Sequence, residues 1–247
     1  EFHWTDDDYG TITGFFSFFY AFACLFAGKF VDWMGTKKGY MWAIFIWSLG
    51  ACMHAGCGWV TMQVEGLDSV EALRAVQAGS EIAVAIATLS VWLFLTCRAI
   101  LALGEAGNFP AAIKVTAEYF PKKDRAFSTS IFNSGASIGA RAAPLTIPVL
   151  AKAYGWEMSF IIIGAIGFVW MFFWHFIYDK PQNSKHVNEA ELAYINQDEQ
   201  QEEKTVKEEQ KDERVIPFLK CFTYRQTWSF IAGKFFTDGI RWFYMFW

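Results

Sequence analysis

The sequence predicts an all-α, polytopic helical membrane protein, and three observations carry that expectation. The chain of 247 residues is 54% hydrophobic and 19% aromatic, with 26 Phe and 12 Trp, more aromatic surface than a soluble domain of this length can place. Its apolar residues gather in runs of about 20 or more, the length a helix needs to cross the hydrocarbon core. Nowhere is the alternation of polar and apolar residues sustained, as the strands of a membrane barrel require. Mean hydropathy is only +0.20 because one long polar segment, about 179–226, dilutes the apolar remainder.

The first apolar run covers residues 9–31 and the second 40–60. The third, 82–119, is overlong for one crossing and is expected to run past the lipid at its polar end. The fourth covers 126–154, the fifth 158–178, and a sixth begins near Thr227. The expectation is therefore five complete transmembrane helices and part of a sixth. Basic residues in short loops set the orientation. Lys29, Lys37 and Lys38 between the first two runs, and Lys122, Lys123 and Arg125 between the third and fourth, place those loops in the cytoplasm. The intervening stretch carries Glu65, Asp68, Glu71 and Glu81 against Arg74 alone, which suits the outer side, as it does for Asp6, Asp7 and Asp8 at the start.

The chain opens on Glu1 and closes on Trp247 within an apolar run, so it reads as an internal piece of a larger membrane protein with one helix absent upstream. Residues 1–180 are then most of an amino-terminal bundle, 181–226 a cytoplasmic linker, and 227–247 the start of a second bundle. Within the linker, 199–214 has almost no apolar residue and is expected to be solvated, helical or disordered. A regulatory docking element is the other reading of this segment.

Arg98 and Glu105 lie seven residues apart inside the third run. Seven residues make two helical turns, so both charges project from one face. A charge at the centre of a membrane helix costs roughly 2.5–3.5 kcal/mol on insertion scales. Two readings stay open: the pair lines a wet pathway for cargo or protons, or it serves as a structural ion pair that locks helices together. A carboxylate in a low-dielectric cavity is easier to protonate, and protonation removes a charge and lets a helix pack differently.

Between the first two runs stands Gly28-Lys29-Phe30-Val31-Asp32-Trp33-Met34-Gly35-Thr36-Lys37-Lys38. This resembles the Gly-x-x-x-Asp-(Arg/Lys)-x-Gly-(Arg/Lys)-(Arg/Lys) signature of the major facilitator superfamily, which joins its second and third helices. In that motif Gly28 is expected to let helices approach closely and Asp32 to accept hydrogen bonds from a neighbouring helix N-terminus. Gly35 permits a tight turn, and Lys37 and Lys38 hold the loop inside. Trp33 and Thr36 stand where basic residues are usual, which implies a weaker charge relay.

The succession continues with RAILALGEAGNFPAAIK from Arg98, Tyr119-Phe120-Pro121-Lys122-Lys123-Asp124-Arg125-Ala126, Ile131-Phe132-Asn133-Ser134-Gly135 and Tyr154-Gly155-Trp156-Glu157. Lys234-Phe235-Phe236-Thr237-Asp238 and Trp242-Phe243-Tyr244 follow in the last run, and His54 comes after Trp47-Ser48-Leu49. Together these are similar to the organic anion:proton symporters of that superfamily, in particular its bacterial hexuronate and galactonate transporters, along nearly all of the chain. The resemblance implies a multi-pass protein of the cell inner membrane that takes up a sugar acid with a proton and works as a monomer in the lipid bilayer. It implies that Glu105 is the protonatable carboxylate and that Arg98 exchanges acidic partners during the cycle. It implies that Tyr20 faces substrate.

Other polar residues carry two readings each. Asn108 and Asn133 can bond sugar hydroxyls or bond between helices. Lys234 and Asp238 can take a carboxylate and hydroxyls, or neutralise each other at their i, i+4 spacing. Arg141 and Arg241 depart from the family pattern; Arg141 is expected near the outer surface or in contact with substrate.

Net charge is −4, which gives no support to nucleic-acid binding. Cys24, Cys52, Cys57, Cys97 and Cys221 show no metal or redox spacing. His54 and His175 have no ligand partner at useful spacing, so no metal and no cofactor is expected. Gly104 and Gly107 follow no strand and are not a nucleotide loop; Gly135 and Gly139 are expected to serve helix packing. The leading expectation is thus a transporter and not an enzyme. The alternatives are a symporter of galactonate or another organic anion, and a non-transporting membrane sensor of a sugar acid that signals through its linker.

Overall fold

Thr5 and Asp8 close a reciprocal capping box at the start of the first long helix, α1 (Asp6–Met34), and the acidic residues of its first turn suit the positive end of the helix dipole. The computed structural model describes residues 2–198 and 218–246. α1 stops at Gly35, whose φ of 77° is free of strain only for glycine. α2 (Thr36–Glu65) starts at the next residue and ends on the left-handed Gly66. A short helix, α3 (Val70–Ala75), capped by Ser69, lies in the connection that follows.

α4 (Glu81–Tyr119) is capped by Ser80 and keeps its helix through Pro110. It ends at Phe120, held extended by the following Pro121. α5 (Arg125–Tyr154) and α6 (Trp156–Ile177) are separated by Gly155 at φ 87°. α7 (Glu189–Ile195) opens with a capping box between Asn188 and Glu191. Residues Glu1–Asp198 form one compact unit and Glu199–Trp247 a second, whose main element is α8 (Arg225–Phe246). The stretch 199–214 of the expected linker lies outside the described residues.

α2 is the centre of the first unit. It packs along α4 on one side and α6 on the other, and α1 covers the far side of α4. Glycines set these distances. A Cβ at Gly104 would lie 2.6 Å from the Ala43 carbonyl oxygen and 2.7 Å from Trp47 Cα, and one at Gly50 would lie 2.7 Å from Leu101 N. On the other side of α2, a Cβ at Gly164 would lie 2.9 Å from the Ser48 carbonyl oxygen. With backbones this close, van der Waals contact holds helices together where lipid supplies no hydrophobic drive. At one end of the bundle Phe2, Trp4, Phe94 and Trp156 stack into an aromatic cluster over Leu73 and Ile86, and Trp4 Nε1 donates to Ser90 Oγ at 2.8 Å.

Among the described residues four helices are long and apolar enough to cross a membrane: α1, α2, α4 and α6. Large apolar side chains such as Phe18, Trp92 and Phe172 are exposed on them, as a lipid-facing surface requires. α5, expected as a further crossing, has the length at 30 residues but falls short in apolarity and buries no residue. Its polar side chains Ser130, Asn133, Ser134, Ser137 and Arg141 collect on one face, and this stripe lowers its mean hydropathy.

Gly28, Gly135 and Gly139 do not make the close approaches expected of them: a Cβ at any of the three would meet nothing within 4 Å. The tight contacts belong to Gly50, Gly104 and Gly164 instead. Replacing Gly104 by alanine is therefore expected to cost about 1–3 kcal/mol through overpacking, seen as a lowered thermal midpoint of the detergent-solubilised protein. Gly135→Ala should leave the midpoint in place; equal shifts for both would contradict this packing.

Candidate functional site

α4 presents three faces. Gly104, Leu101 and Cys97 turn toward α2, and Ala102 and Ala106 lie roughly opposite, where Ala106 meets Ala23, Ala27 and Tyr20 of α1. At about 100° per residue, Arg98 and Glu105 fall on the flank between, about a third of a turn from Gly104. They stand roughly 25 Å from the start and roughly 21 Å from the end of α4, respectively. Both are therefore deep within the apolar span.

Both side chains are half-buried. Each lies within electrostatic reach of the other, but no direct ion pair joins them. The Arg98 guanidinium sits 5.4 Å from the centroid of the Phe16 ring, and its buried Nε has no hydrogen-bond partner. Tyr20 stacks on Phe16 at 6.0 Å and is an electrostatic neighbour of Glu105 and Cys24. The sequence-expected trio of Tyr20, Arg98 and Glu105 thus converges on one α1–α4 flank. His54 of α2 adjoins it electrostatically, with Nδ1 2.7 Å from the Gly50 carbonyl, its ring stacked on Phe160, and Nε2 without a partner. Such a set can hold an anion on Arg98 and a proton on Glu105 without either charge being committed to the other.

A second polar cluster closes the Gly35 end. Asp32 does not bond a helix N-terminus; its Oδ1 pairs with Lys114 of α4 at 2.7 Å. Thr36 is fully buried and donates to Glu118 Oε1 at 2.5 Å, and the buried Tyr178 hydroxyl donates to the other oxygen of the same carboxylate. Burial first, and the Glu118 carboxylate second, push the Tyr178 hydroxyl well above its ordinary range, so it remains a donor. Lys37 pairs with Asp179 at 2.8 Å, and its carbonyl accepts from Trp174 Nε1 at 3.2 Å. Lys38 is exposed.

The cation beside Asp32 comes from α4, as Lys114, and Thr36, where a basic residue is usual, is a buried donor. Lys114, Glu118 and Tyr178 escaped sequence reasoning. Charges at the end of an overlong helix look like ordinary solvent exposure, though Lys114 and Glu118 do share a face at i, i+4. α7 joins this end as well: the Tyr194 hydroxyl donates to Asp124 at 2.6 Å, and Lys123 lies 4.4 Å from the Tyr194 ring centroid.

The remaining candidates are not brought to the α4 flank by packing within the first unit. Asn108 is exposed on α4, and Asn133 lies on the polar stripe of α5 with Arg141. In the second unit Lys234 Nζ is 3.0 Å from Asp238 Oδ2, the mutual neutralisation weighed as one of their readings. The Arg241 side chain lies outside the described residues.

A family model described as Major Facilitator Superfamily matches residues 1–247, the whole chain. The chain belongs to the Major Facilitator Superfamily. It is a multi-pass helical membrane protein of that family. Among its relatives, the hexuronate transporter of Escherichia coli (strain K12) is 31% identical over 169 residues, 68% of this chain and 32% of that protein. The galacturonate transporter of Dickeya chrysanthemi is 28% identical over 195 residues, 79% of this chain and 48% of that protein. The D-galactonate transporter of Escherichia coli O6:H1 is 26% identical and aligns with 100% of this chain and 51% of its own length. The chain spans about a third to a half of the length of these relatives.

Within this superfamily member the cluster at the Gly35 end makes a graded prediction. Tyr178→Phe removes a buried bond to a carboxylate and is expected to cost about 1.5–3 kcal/mol. Lys37→Ala breaks a half-exposed ion pair and should cost about 0–1 kcal/mol. Thermal unfolding in detergent reads both, and the opposite ranking would contradict the network.

Proposed function

We propose that this chain is part of a secondary active transporter that carries a sugar acid, a hexuronate such as glucuronate or galacturonate, together with a proton across the bacterial inner membrane. In this reading α1, α2, α4, α5 and α6 all cross, the Gly35 end faces the cytoplasm, 181–226 links two bundles, and α8 opens the second. The polar stripe of α5 is consistent with a helix that lines an aqueous cavity, since a lipid-facing helix would carry no such face. The working unit is a monomer.

One observation supports the mechanism above the rest: Arg98 and Glu105 share a face at mid-span depth, near Tyr20, without a direct ion pair and with the Arg98 Nε unsatisfied. Charges at that depth are costly unless they serve a pathway. Arg98 attracts the anionic cargo, and Glu105 takes a proton as cargo binds. With Glu105 neutral, α4 and α1 pack differently, and rocking of one bundle against the other exposes both to the cytoplasm. Asn108, Asn133, Lys234 and Asp238 are the candidate hydroxyl and carboxylate contacts. Asp32, Gly35, Lys37 and Lys38, with Lys114 and Glu118, hold the cytoplasmic end shut between transport events. Gly28 has no place in that gate that its surroundings support.

The alignment of the galactonate transporter along the whole chain favours a second reading, in which galactonate or another organic anion is the cargo. Competition of labelled glucuronate uptake by a panel of sugar acids separates the two. The mechanism itself is tested in proteoliposomes with the protein in its full length. Glu105→Gln is expected to abolish accumulation driven by a pH gradient while sparing exchange of internal for external cargo. Accumulation at the wild-type level in this variant would remove Glu105 from the coupling.

A further inference from the structure

Among the described residues, two buried polar atoms near the α4 flank have no hydrogen-bond partner: Arg98 Nε and His54 Nε2. Their needs are complementary, because the arginine nitrogen donates and the histidine nitrogen accepts. His54 is fully buried. Its Nδ1 lies 2.7 Å from the Gly50 carbonyl oxygen, which can only accept, so the ring proton sits on Nδ1. Nε2, at the outer end of the neutral ring, keeps a lone pair with no donor. A buried acceptor in that condition is costly, and native structures rarely hold one without a reason.

The packing of α2 on α4 sets His54 level with Arg98. The two helices run antiparallel: Trp47 meets Gly104, Gly50 meets Leu101, and Cys57 Sγ lies 3.6 Å from Cys97 Sγ. His54 falls between the last two contacts, at the height of residues 97–101 of α4. Its ring stands edge-on to Phe94 with centroids 5.4 Å apart, and Arg98 follows Phe94 by one turn, about 40° further round α4. Phe160 of α6 stacks on the same ring at 4.8 Å and fixes its plane. On the α1 side of the flank the Arg98 guanidinium rests over Phe16. It therefore has an aromatic face toward α1 and an unused acceptor toward α2.

We propose that His54 is a positioning residue for Arg98: when Glu105 loses its charge, the guanidinium leaves the Phe16 ring and donates to His54 Nε2. Charged Glu105 draws Arg98 along α4; with that attraction gone, the free acceptor on α2 becomes its best partner. A carboxylate in the place of His54 would cancel the arginine. A neutral imidazole holds the guanidinium and leaves its charge available to an anion. The other titratable groups here are the Tyr9 and Tyr20 hydroxyls, the Cys24 thiol and the Cys57–Cys97 thiols, all ordinarily uncharged at neutral pH. The inference rests on the proposed part of Arg98 in drawing an anionic cargo, and it adds α2 to a site otherwise made by α1 and α4.

Nitrogen-15 NMR of the full-length protein, labelled at histidine, reads the bond directly. An imidazole nitrogen that accepts a hydrogen bond resonates upfield of one that does not, and His54→Gln identifies the signal by its loss. In Glu105→Gln the unprotonated His54 nitrogen is expected at the upfield, bonded position, and adding Arg98→Met should return it to the free position. A free position in Glu105→Gln, or a signal indifferent to Arg98→Met, overturns the proposal. Glucuronate binding is measured in parallel. His54→Phe keeps the stacked ring but offers no acceptor, and should weaken binding about tenfold, the effect of one charge-assisted bond; His54→Gln should regain part of it. Wild-type affinity in His54→Phe also overturns the proposal, and this arm decides should Arg98→Met not fold. If the wild-type protein binds no glucuronate, the sugar-acid reading fails and the nitrogen signal still decides the role of His54.

Discussion

The close contact of α2 with α4 is the constraint on which the rest of the first unit depends. Gly104 lies against the backbone of Ala43 and Trp47, and Leu101 against Gly50, so at these two points no side chain separates the helix backbones. That contact fixes the rotation of α4 about its own axis. Once Gly104 faces α2 and Ala106 faces α1, Arg98 and Glu105 have only the flank left to occupy. A turn of α4 by a single residue would carry both charges into a packed interface, where they would lose solvation without gaining partners. The small residues of this helix are therefore as much a part of the site as its charged ones.

The two polar clusters of the first unit differ in what they satisfy. At the Gly35 end the central groups are partnered: Asp32 with Lys114, Glu118 with Thr36 and Tyr178, and Lys37 with Asp179. A set paired in this way favours one arrangement of helix ends. At mid-span, by contrast, Arg98 keeps an unsatisfied Nε and Glu105 has no ion partner in contact. Unpaired groups at depth are the ones able to respond to a ligand or a proton. The docking of Tyr194 on Asp124 and Lys123 ties α7 to the α4–α5 loop, so this short helix belongs to the first compact unit and not to a free tether.

Much of this was legible in the sequence because membrane helices announce themselves by length and apolarity, and because a charge inside one is rare. The bounds of α1, α2, α4 and α6 lie within a few residues of the expected runs, and Tyr20, Arg98 and Glu105 do converge. The packing role of particular glycines was not legible. Gly28 and Gly135 look the same in a string of letters as Gly104 and Gly164, and only the neighbouring backbone tells them apart. Lys114 and Glu118 were overlooked for a related reason: their partners come from α1, α2 and the end of α6, far away in the chain. α5 was expected as an ordinary crossing, and its one-sided polarity emerged only when Ser130, Asn133, Ser137 and Arg141 were seen along one groove.

The proposed coupling requires Glu105 to change its protonation when an anionic sugar acid binds. Infrared difference spectroscopy of the full-length protein, recorded on adding glucuronate at constant pH, reads that event directly. A protonated-carboxyl band that rises with the sugar acid and is missing from the spectrum of Glu105→Gln is the predicted result. Identical carboxyl signals from the two proteins across the pH range would contradict it.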